Sequence, residues 1–590
     1  MAFRTQVNVP GDVFSTTPGC FVRFIRYTFR DTLNANILKQ SADSLGLHGI
    51  IHNEHPGSVL DAQVLDAADD VIECTVTKSK ERAAGSFTMT LAPGNINYHA
   101  AIDAGDHVLI FMKRDAGGGF TLTNDVTSGL KMWGIVQSVR VIRDVNESGI
   151  STVRYAISGS DFGHFFETDI YFNHIIAEQL KDDTLGMLHS VLNFVIDLDY
   201  ASPSRNIEDL LNAFIGQFRI QNLPSPYATP NSPNAAFSLP GAVASFFGAS
   251  GDARFTNVLQ RQIGVLQYDE RSTVPVGLRG VAGEAAPRDL TGTKFINIDT
   301  GSAFSLWSVI EAYGNALMNE FYADLLPNGS GKLVPTFVAR QVPYTSTKAK
   351  PKIPIATTTY TSLPRVSLHE KAIFHEDFGR SESQRYNYIQ LWGTGTLFDG
   401  SGDFQPEQTQ KGNFAMDRQS VRRYGVKSLV RTTDYDLDLQ ALRRATQAAQ
   451  KASDGSITFI TDWAKIYADW YLPGHLYETG TVQCIGIDEP LAIGENLEIV
   501  RGDATKAKEI YHVQSYSHAF VVDGGPGVKQ FRTTMSLVRG MTEHEKPIYM
   551  EVDHVGSPDI TRQGQTNSKR SESKVSDNLL SFFDQQKDKS

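Results

Sequence analysis

Two stretches of this chain that lie far apart in sequence carry similar residues in the same order. The first copy runs through Gly105-Asp-His-Val-Leu-Ile110, Val136-Gln-Ser138, Gly149, Arg154 and Ser158. The second copy runs through Gly494-Glu-Asn-Leu-Glu-Ile499, Val513-Gln-Ser515, Gly527, Arg532 and Ser536. The main difference in length falls in the loop that holds Asp115-Ala-Gly-Gly-Gly119. This pattern indicates a duplicated unit that keeps its strands and varies an exposed loop. Chance likeness between two strand pairs is the alternative.

The residues around the first copy predict short β-strands. β-branched and aromatic residues nearly alternate with polar ones in Val71-Ile-Glu-Cys-Thr-Val-Thr77, Ser86-Phe-Thr-Met-Thr-Leu91 and Thr152-Val-Arg-Tyr-Ala-Ile157. Gly and polar turns separate these segments. Strands of this length and spacing are typical of a barrel or a sandwich.

Other parts of the chain show helical spacing of apolar residues or no regular spacing at all. Apolar residues recur at helical spacing at Ile207, Leu210, Leu211, Phe214, Ile215 and Phe218. Further helices are predicted around Phe304 to Phe321, near Leu437 to Ala452 and from Trp463 to Tyr471, and a turn between two strands is predicted at Pro327-Asn-Gly-Ser-Gly331. The stretch from Asn222 to Gly292 is rich in Pro, Gly and Ala, which indicates an irregular excursion that we expect to serve an interface.

Composition excludes several classes of protein. A chain of 590 residues is expected to fold as several domains. Its net charge of -11 has the wrong sign for a broad surface that grips nucleic-acid phosphates. Cys20, Cys74 and Cys484 are too few and too scattered for a disulfide framework or a four-cysteine zinc site. No apolar run reaches the roughly 18 residues of a membrane-spanning helix, so we expect no integral membrane segment.

Short motifs that resemble catalytic sites lack their required partners. Asp161-Phe-Gly163 matches a kinase tripeptide without the other kinase elements, and Gly329-Ser-Gly-Lys332 lacks the first glycine and the hydroxyl residue of a phosphate loop. Ser158-Gly-Ser160 fails the nucleophile-elbow pattern. The spacing of His52 and His55 before Pro56-Gly57 predicts a loop and not the helical face of a zinc protease. Carboxylate pairs such as Glu376-Asp377 are predicted to have surface or capping roles. We therefore expect no catalytic residue, no cofactor and no metal site.

Longer strings around the duplication carry a resemblance to a known family. KERAAGSFTMTLAP, IDAGDHVLIFM and YAISGSDFG are similar to the first domain of baseplate hub proteins of contractile-tailed bacteriophages. ETGTVQCIGIDEPLAIGENLEIVRG and YHVQSYSHAFVVDGGPGVKQFRTTMSLVRG resemble the second barrel of that family. FSLWSVIEAYGNALMNEFYAD followed by GKLVPTFVARQVPY looks like its middle region.

We expect an α+β, mainly β fold, in which the resemblance implies two related tail-tube-like β-barrels and the sequence itself indicates helical insertions and an irregular Pro/Gly-rich excursion. The expected segments are an N-terminal arm (1–20), a first tube-like barrel (21–164), a helical layer (165–221), the irregular insertion (222–292), a helix with a β-hairpin (293–350), a second tube-like barrel (351–435 and 472–545) with a helical insertion (436–471), and a polar C-terminal tail (546–590). The irregular insertion and the tail have no counterpart in that family.

The resemblance also implies an assembly role. Hub proteins of this family form homotrimers, so three chains present six similar barrels that join a six-fold tail tube to a three-fold central spike. The implied partners are the tail tube protein, the central spike protein, the tape-measure protein and other baseplate proteins, with DNA only in transit through the channel. The implied location is the tail baseplate of the virion, assembled in the bacterial host cytoplasm.

The polar tail is predicted to bind a partner. Val575, Leu579, Phe582 and Phe583 share one face of a short amphipathic helix that could dock in a groove. A disordered tail is the alternative for this segment. For the whole chain, the alternatives to a structural hub are a tail-associated enzyme that degrades the cell wall and a receptor-binding adhesin.

Overall fold

A computed structural model of the chain describes residues 4–6, 17–29, 49–51, 60–92, 94, 96–145, 149, 151–167, 169–171, 223–224, 236–237, 267–270, 303–305, 307, 319–327, 331–342, 363–393, 412–433, 467–468, 470–502, 508–523, 528–542 and 554–556. Within these residues strands predominate and helices are short, which confirms the mainly β fold class. No helix among them is both long and apolar enough to span a bilayer.

The first strands of the chain form one antiparallel group. They are β1 (Arg4–Gln6), β2 (Gly19–Phe29), β3 (Gly49–Ile51), β4 (Leu60–Ala67), β5 (Val71–Ser79), β6 (Ser86–Leu91), β7 (His107–Lys113), β8 (Leu130–Val145) and β9 (Ser151–Asp161), with helix α1 (Tyr98–Ala101) before β7. β2 to β9, which we call the first unit, pair in the order β5-β6-β9-β8-β7-β2-β4-β3. β7 is a nearly continuous apolar run and lies inside this sheet, where its residues are buried.

The middle of the chain contributes short strands and one hairpin. It contains helix α2 (His164–Glu167), β10 (Asp169–Tyr171), β11 (Leu223–Pro224), β12 (Ala236–Phe237), β13 (Gln267–Glu270), β14 (Ala303–Ser305), β15 (Asn319–Pro327) and β16 (Leu333–Gln341). β10 pairs with β14, β11 with β12, and β15 and β16 form an antiparallel hairpin that β13 joins. The predicted strand pair on either side of the turn is confirmed by the pairing of β15 with β16, and Gly331, just before β16, has a φ of 76°.

The helix predicted from Phe304 to Phe321 is wrong at both ends. Phe304 belongs to β14 and Phe321 belongs to β15. The reason is strand pairing, because Phe304 pairs with β10, which is far away in sequence, and Phe321 pairs with β16 in the hairpin. Helical periodicity reports neither pairing. The predicted helices over Ile207 to Phe218 and Leu437 to Ala452 lie outside the described residues.

Strands from the last third of the chain form a second unit. They are β17 (Arg365–His369), β18 (Ile373–Gly379), β22 (Glu478–Ile485), β23 (Asn496–Val500), β24 (Lys508–Asp523) and β25 (Val528–Thr542). They pair in the order β17-β23-β24-β25-β22-β18, and β1 joins β17 at the edge. Short 3-10 helices at Glu370–Ala372, Glu382–Gln384 and Leu472–Leu476 flank these strands.

A separate four-stranded sheet interrupts the second unit in sequence. It contains β19 (Tyr388–Gly393), β20 (Gly412–Met416), β21 (Ser428–Thr433) and β26 (His554–Gly556), in the order β21-β19-β20-β26, with helix α3 (Arg418–Tyr424) between β20 and β21. The sequence predicts residues 351–435 as part of the second barrel, but the described strands from residues 388 to 433 pair with one another in this separate sheet.

The two units repeat the same strand order. β5-β6-β9-β8-β7 of the first unit corresponds to β18-β22-β25-β24-β23 of the second. A β-bulge lies between Val136 and Ser138 in β8, and another lies between Val513 and Ser515 in β24. A second pair of bulges occurs where β5 and β18 begin, in their pairing with β6 and β22. The duplication inferred from the sequence is therefore confirmed in its strand order and in its irregularities.

The turns that precede the bulges also match. The amide of Gly105 donates to the carbonyl of Val136 at 2.7 Å, and the amide of Gly494 donates to the carbonyl of Val513 at 3.0 Å. Both glycines have positive φ, 96° and 74°, a conformation that favours glycine. The units differ at one edge. β17 precedes β18 as β4 precedes β5, so β17 corresponds to β4. β17 pairs directly with β23, whereas β2 lies between β4 and β7. The described strands form no closed barrel, so barrel closure stays a prediction.

Candidate functional site at the junction of the two units

The two units share one sheet through a junction, which we define as the antiparallel pairing of β24 with β5. Residues Ser515 to Val521 face Ser79 to Glu73 in an unbroken register. The amide of Lys80 extends this ladder by donating to the carbonyl of Gln514 at 2.9 Å. The second unit therefore continues the sheet of the first unit edge to edge.

One face of the junction is apolar and belongs to the core of the first unit. Phe520 and Phe531, both from the second unit, lie in the same buried cluster as Cys74 and Val76 of β5. Phe520 sits directly opposite Cys74 and is 2% exposed. Burying an aromatic side chain of this size contributes on the order of 2 kcal/mol. The ribbon formed by β24 and β25 thus covers a core that the first unit would otherwise expose.

The junction also buries a histidine in its neutral form. His518 lies opposite Val76, and its Nδ1 is 2.9 Å from the Oγ1 of Thr533. Burial lowers the pKa of His518 well below its usual range. A neutral imidazole with a hydroxyl partner fits an apolar contact.

The β15–β16 hairpin binds the junction through a buried carboxylate. Asp324 of β15 accepts hydrogen bonds from the Oη of Tyr516 and from the amide of Ile493, both at 2.9 Å. Burial raises the pKa of Asp324 to about 6. The Lys78 ammonium, which also lies near Asp324, forms an ion pair with Asp161. Polar contacts between β5, β9, β15 and β24 therefore fix the hairpin against both units.

A loop of the second unit is anchored on two cations of the first unit. The buried Lys131 ammonium donates to the carbonyls of Ile487 at 2.5 Å and Asp488 at 2.9 Å. Burial lowers the pKa of Lys131 to about 8. The amide of Arg114 donates to the Asp488 carboxylate at 2.8 Å, and its guanidinium lies 3.3 Å from Glu489. These contacts set the second unit at a fixed position on the first.

A groove of about 490 Å³ crosses the junction on its polar face. Hydroxyl side chains from both units line it, including Ser86 and Ser160 from the first unit and Thr481, Ser515 and Ser536 from the second. Its lining also contains Gln137, the residue at the bulge of β8. Such a surface can form hydrogen bonds to a partner along its length.

The motifs weighed in the sequence have structural roles where they are described. Asp161 binds Lys78 and also accepts from the amide of Gly163 at 2.9 Å, and Phe162 packs its ring 6.0 Å from that of Trp133. Glu376 and Asp377 are neighbours on β18, so their side chains point to opposite faces of the strand.

Other predicted site residues fall elsewhere. Val575, Leu579, Phe582 and Phe583 lie outside the described residues, as do His52 and His55. In the part of the chain that is described, no cluster of three or more His, Cys, Asp or Glu residues has a geometry for a metal ion. All three cysteines are buried and free, and burial raises the pKa of Cys20 and Cys484. The absence of an enzymatic role, a cofactor and a metal stays a prediction.

Sequence reasoning missed the polar residues that hold the units together. Lys78, Lys131 and Asp324 are single charged residues at strand positions, and each finds its partner far away in sequence. The one available signal is a charge within an otherwise apolar strand, as in Leu130-Lys-Met-Trp133.

No family model matches the chain, and no curated protein matches it. Among solved structures, the tail protein from Neisseria meningitidis MC58 aligns at 10% identity with a TM-score of 0.34, covering 83% of this chain and 95% of that one. The prophage MuSo2 43 kDa tail protein from Shewanella oneidensis aligns at 10% identity and 0.33, covering 80% and 94%. The half-lidded Francisella PdpA-VgrG complex aligns at 8% identity and 0.35, covering 90% and 60%.

These likenesses are remote in sequence and loose in superposition, so none of them defines what this chain does. The fold and the junction by themselves define a class, namely a mainly β chain in which two copies of one unit are fixed side by side in a continuous sheet.

Proposed function

We propose that this chain is a structural hub of a contractile phage tail baseplate, acting as a homotrimer. The observation that carries the proposal is the junction, which holds two equivalent units edge to edge within one chain. Three such chains around an axis present six similar units. A ring of this kind matches a six-fold tail tube on one side and a three-fold spike on the other.

The character of the junction supports a role in assembly. The position of one unit on the other is fixed by main-chain pairing, by the buried Phe520 and by the anchored loop at Asp488. An adaptor between two symmetries requires this rigidity, because its units must present equivalent surfaces at set positions. A catalytic role is not proposed.

The proposed partners follow from this role. The tail tube protein would bind the end of the ring that presents six units, and the central spike protein would bind the end that presents three chains. Tape-measure protein and other baseplate proteins are further partners, and DNA would pass through the channel in transit. The net charge of -11 suits a channel wall that does not hold DNA. The chain would reside in the virion tail after assembly in the host cytoplasm.

The test is the native mass of the purified chain over a wide concentration range, together with electron-microscopy class averages. We expect a mass of three chains and a ring with six lobes in views along the axis. A chain that stays monomeric at the highest concentration, or that forms a dimer, would contradict the proposal.

A further inference from the structure

The junction within one chain is a template for a contact between chains. β24 corresponds to β8 and β5 corresponds to β18, as the matching bulges show. The junction pairs β24 of the second unit with β5 of the first unit. The counterparts of these two strands, β8 in the first unit and β18 in the second, therefore carry equivalent strand edges. A contact between these two strands that is equivalent to the junction would keep its register.

The corresponding edges are open in the described part of the chain. β8 pairs with β7 only as far as Ile135, and its outer half from Ser138 to Val145 pairs with β9 alone. β18 pairs with β22 alone. Open strand edges of this kind are ready sites for pairing with another chain.

Apolar side chains on these edges are exposed. Val145 at the end of β8 is 70% exposed and Ile142 is 40% exposed, while Phe374 of β18 is 54% exposed. In the second unit, the residue that corresponds to Val145 is Val522, which packs against the core of the first unit. The comparison indicates that β8 lacks the cover that β24 has.

We propose that the outer half of β8 in one copy pairs antiparallel with β18 of a second copy, in the register that the junction sets. This inference rests on the proposed trimer and specifies the surface that closes it. Ser517 opposite Thr77 becomes Arg140 opposite Gly379, and Val521 opposite Glu73 becomes Asp144 opposite His375. Val145 and Phe374 follow at the end of this pairing.

The side chains that this register brings together are complementary. On one face, Arg143 lies opposite Glu376, and Val141 lies opposite Phe378. On the other face, Asp144 lies opposite His375. Arg140 is diagonal to Asp377 on that face, at a separation of roughly 7–8 Å that a long side chain can span. Arg143 and Glu376 carry opposite charges and would meet directly, although Glu376 also binds Arg501 of its own chain at 2.8 Å. This complementarity, with the apolar pair of Val141 and Phe378, favours a second copy of this chain as the occupant.

The contact is heterologous, because different strands meet. Each copy therefore offers one β8 edge and one β18 edge, and the contacts end only when a ring closes. Three copies would use every open edge of this kind, which leaves six units in alternating order around the ring.

Disulfide trapping tests the register. The bond from Lys80 to Gln514 makes the pair of Ala519 and Thr75 a non-hydrogen-bonded one, in which side chains approach most closely. The corresponding pair is Ile142 and Asp377, so we would make Ile142→Cys with Asp377→Cys. The native cysteines are buried and provide a silent background. The matched control is Ile142→Cys with His375→Cys, which displaces one cysteine by two residues on the same face, beyond comfortable disulfide reach.

We expect mild oxidation to give covalent trimers that reducing agent dissolves, with at least about tenfold less product from the control pair. A native trimer that gives no cross-link, or equal cross-links in both pairs, would overturn the contact and leave the proposed function standing. A chain that is monomeric by native mass would overturn both. Cross-linked open polymers would support the contact and refute the three-fold ring.

Charge reversal gives a second test without cysteines. Arg140→Asp and Asp377→Arg are exposed changes with little effect expected on folding. We expect each single variant to raise several-fold the protein concentration at which half of the chains are trimeric. The double variant should return this concentration to the wild-type value, because the two charges are then exchanged. Additive losses in the double variant would argue against the register.

Discussion

Removing one aromatic ring should loosen the junction selectively. Phe520 is 2% exposed and lies in the core of the first unit although it belongs to the second. Phe520→Ala therefore deletes buried apolar contact at the boundary between the units. Substitutions of this type cost about 3–5 kcal/mol, through lost transfer free energy and the cavity that remains.

Hydrogen exchange measured by mass spectrometry reports this cost where it occurs. The β5 peptide from Glu73 to Ser79 is protected by pairing with β24 on one side and β6 on the other. A loss of about 3 kcal/mol in the local opening free energy should speed its exchange by roughly 100-fold, since each 1.4 kcal/mol is a factor of about ten. The β8 peptide from Leu130 to Val136 should change much less.

The adjacent residue supplies the control. Val521 is 37% exposed and its side chain points to the other face of β24. Val521→Ala should cost less than about 0.5 kcal/mol and leave the exchange of β5 within a factor of about three. If Phe520→Ala changed the exchange of β5 no more than Val521→Ala does, the ring would not hold the units together and the reasoning about the junction would fail.

Three further predictions concern buried titratable groups. Burial raises the pKa of Asp324 to about 6, so its contribution to the free energy of unfolding is full below about pH 4 and is lost as the pH rises through 6. Asp324→Asn should remove this pH-dependent loss, which is up to about 3 kcal/mol. Urea unfolding at a series of pH values measures it. Asp161→Asn should cost about 3–5 kcal/mol because it removes the ion-pair partner of the buried Lys78, and adding Lys78→Met should recover part of that loss in a double-mutant cycle. The buried thiols, with the pKa of Cys484 raised by burial, should resist a thiol reagent in the folded protein and react after unfolding.

The sequence was most informative where the two units are alike. The tripeptide Val-Gln-Ser occurs at 136–138 and at 513–515, and in both places it forms the bulge of a long strand. A bulge bends a strand and interrupts its ladder at a set position, so the same residues in the same order predict the same local geometry. The strands at Val71 and Ser86 were also visible, because alternation is a local signal.

The junction could not be predicted in this way. β5 and β24 each look like ordinary alternating strands, and no residue in either of them identifies its partner in the other unit. The pairing depends on contacts between residues that are far apart in sequence, such as Phe520 with Cys74, and single-sequence periodicity does not contain them. The separate sheet that includes β19 escaped prediction for the same reason, since its strands meet only in the folded chain.

Duplication allows two equivalent contacts to differ in chemistry. At the junction, Phe520 lies opposite Cys74, and both are buried. At the proposed contact between copies, the corresponding residues are Arg143 and Glu376, and both are exposed in the single chain. An apolar pair suits a contact that forms once, as the chain folds, whereas a charged pair keeps each edge soluble until a second copy arrives. A unit present only once per chain could not make this distinction, because every contact in its ring would be the same.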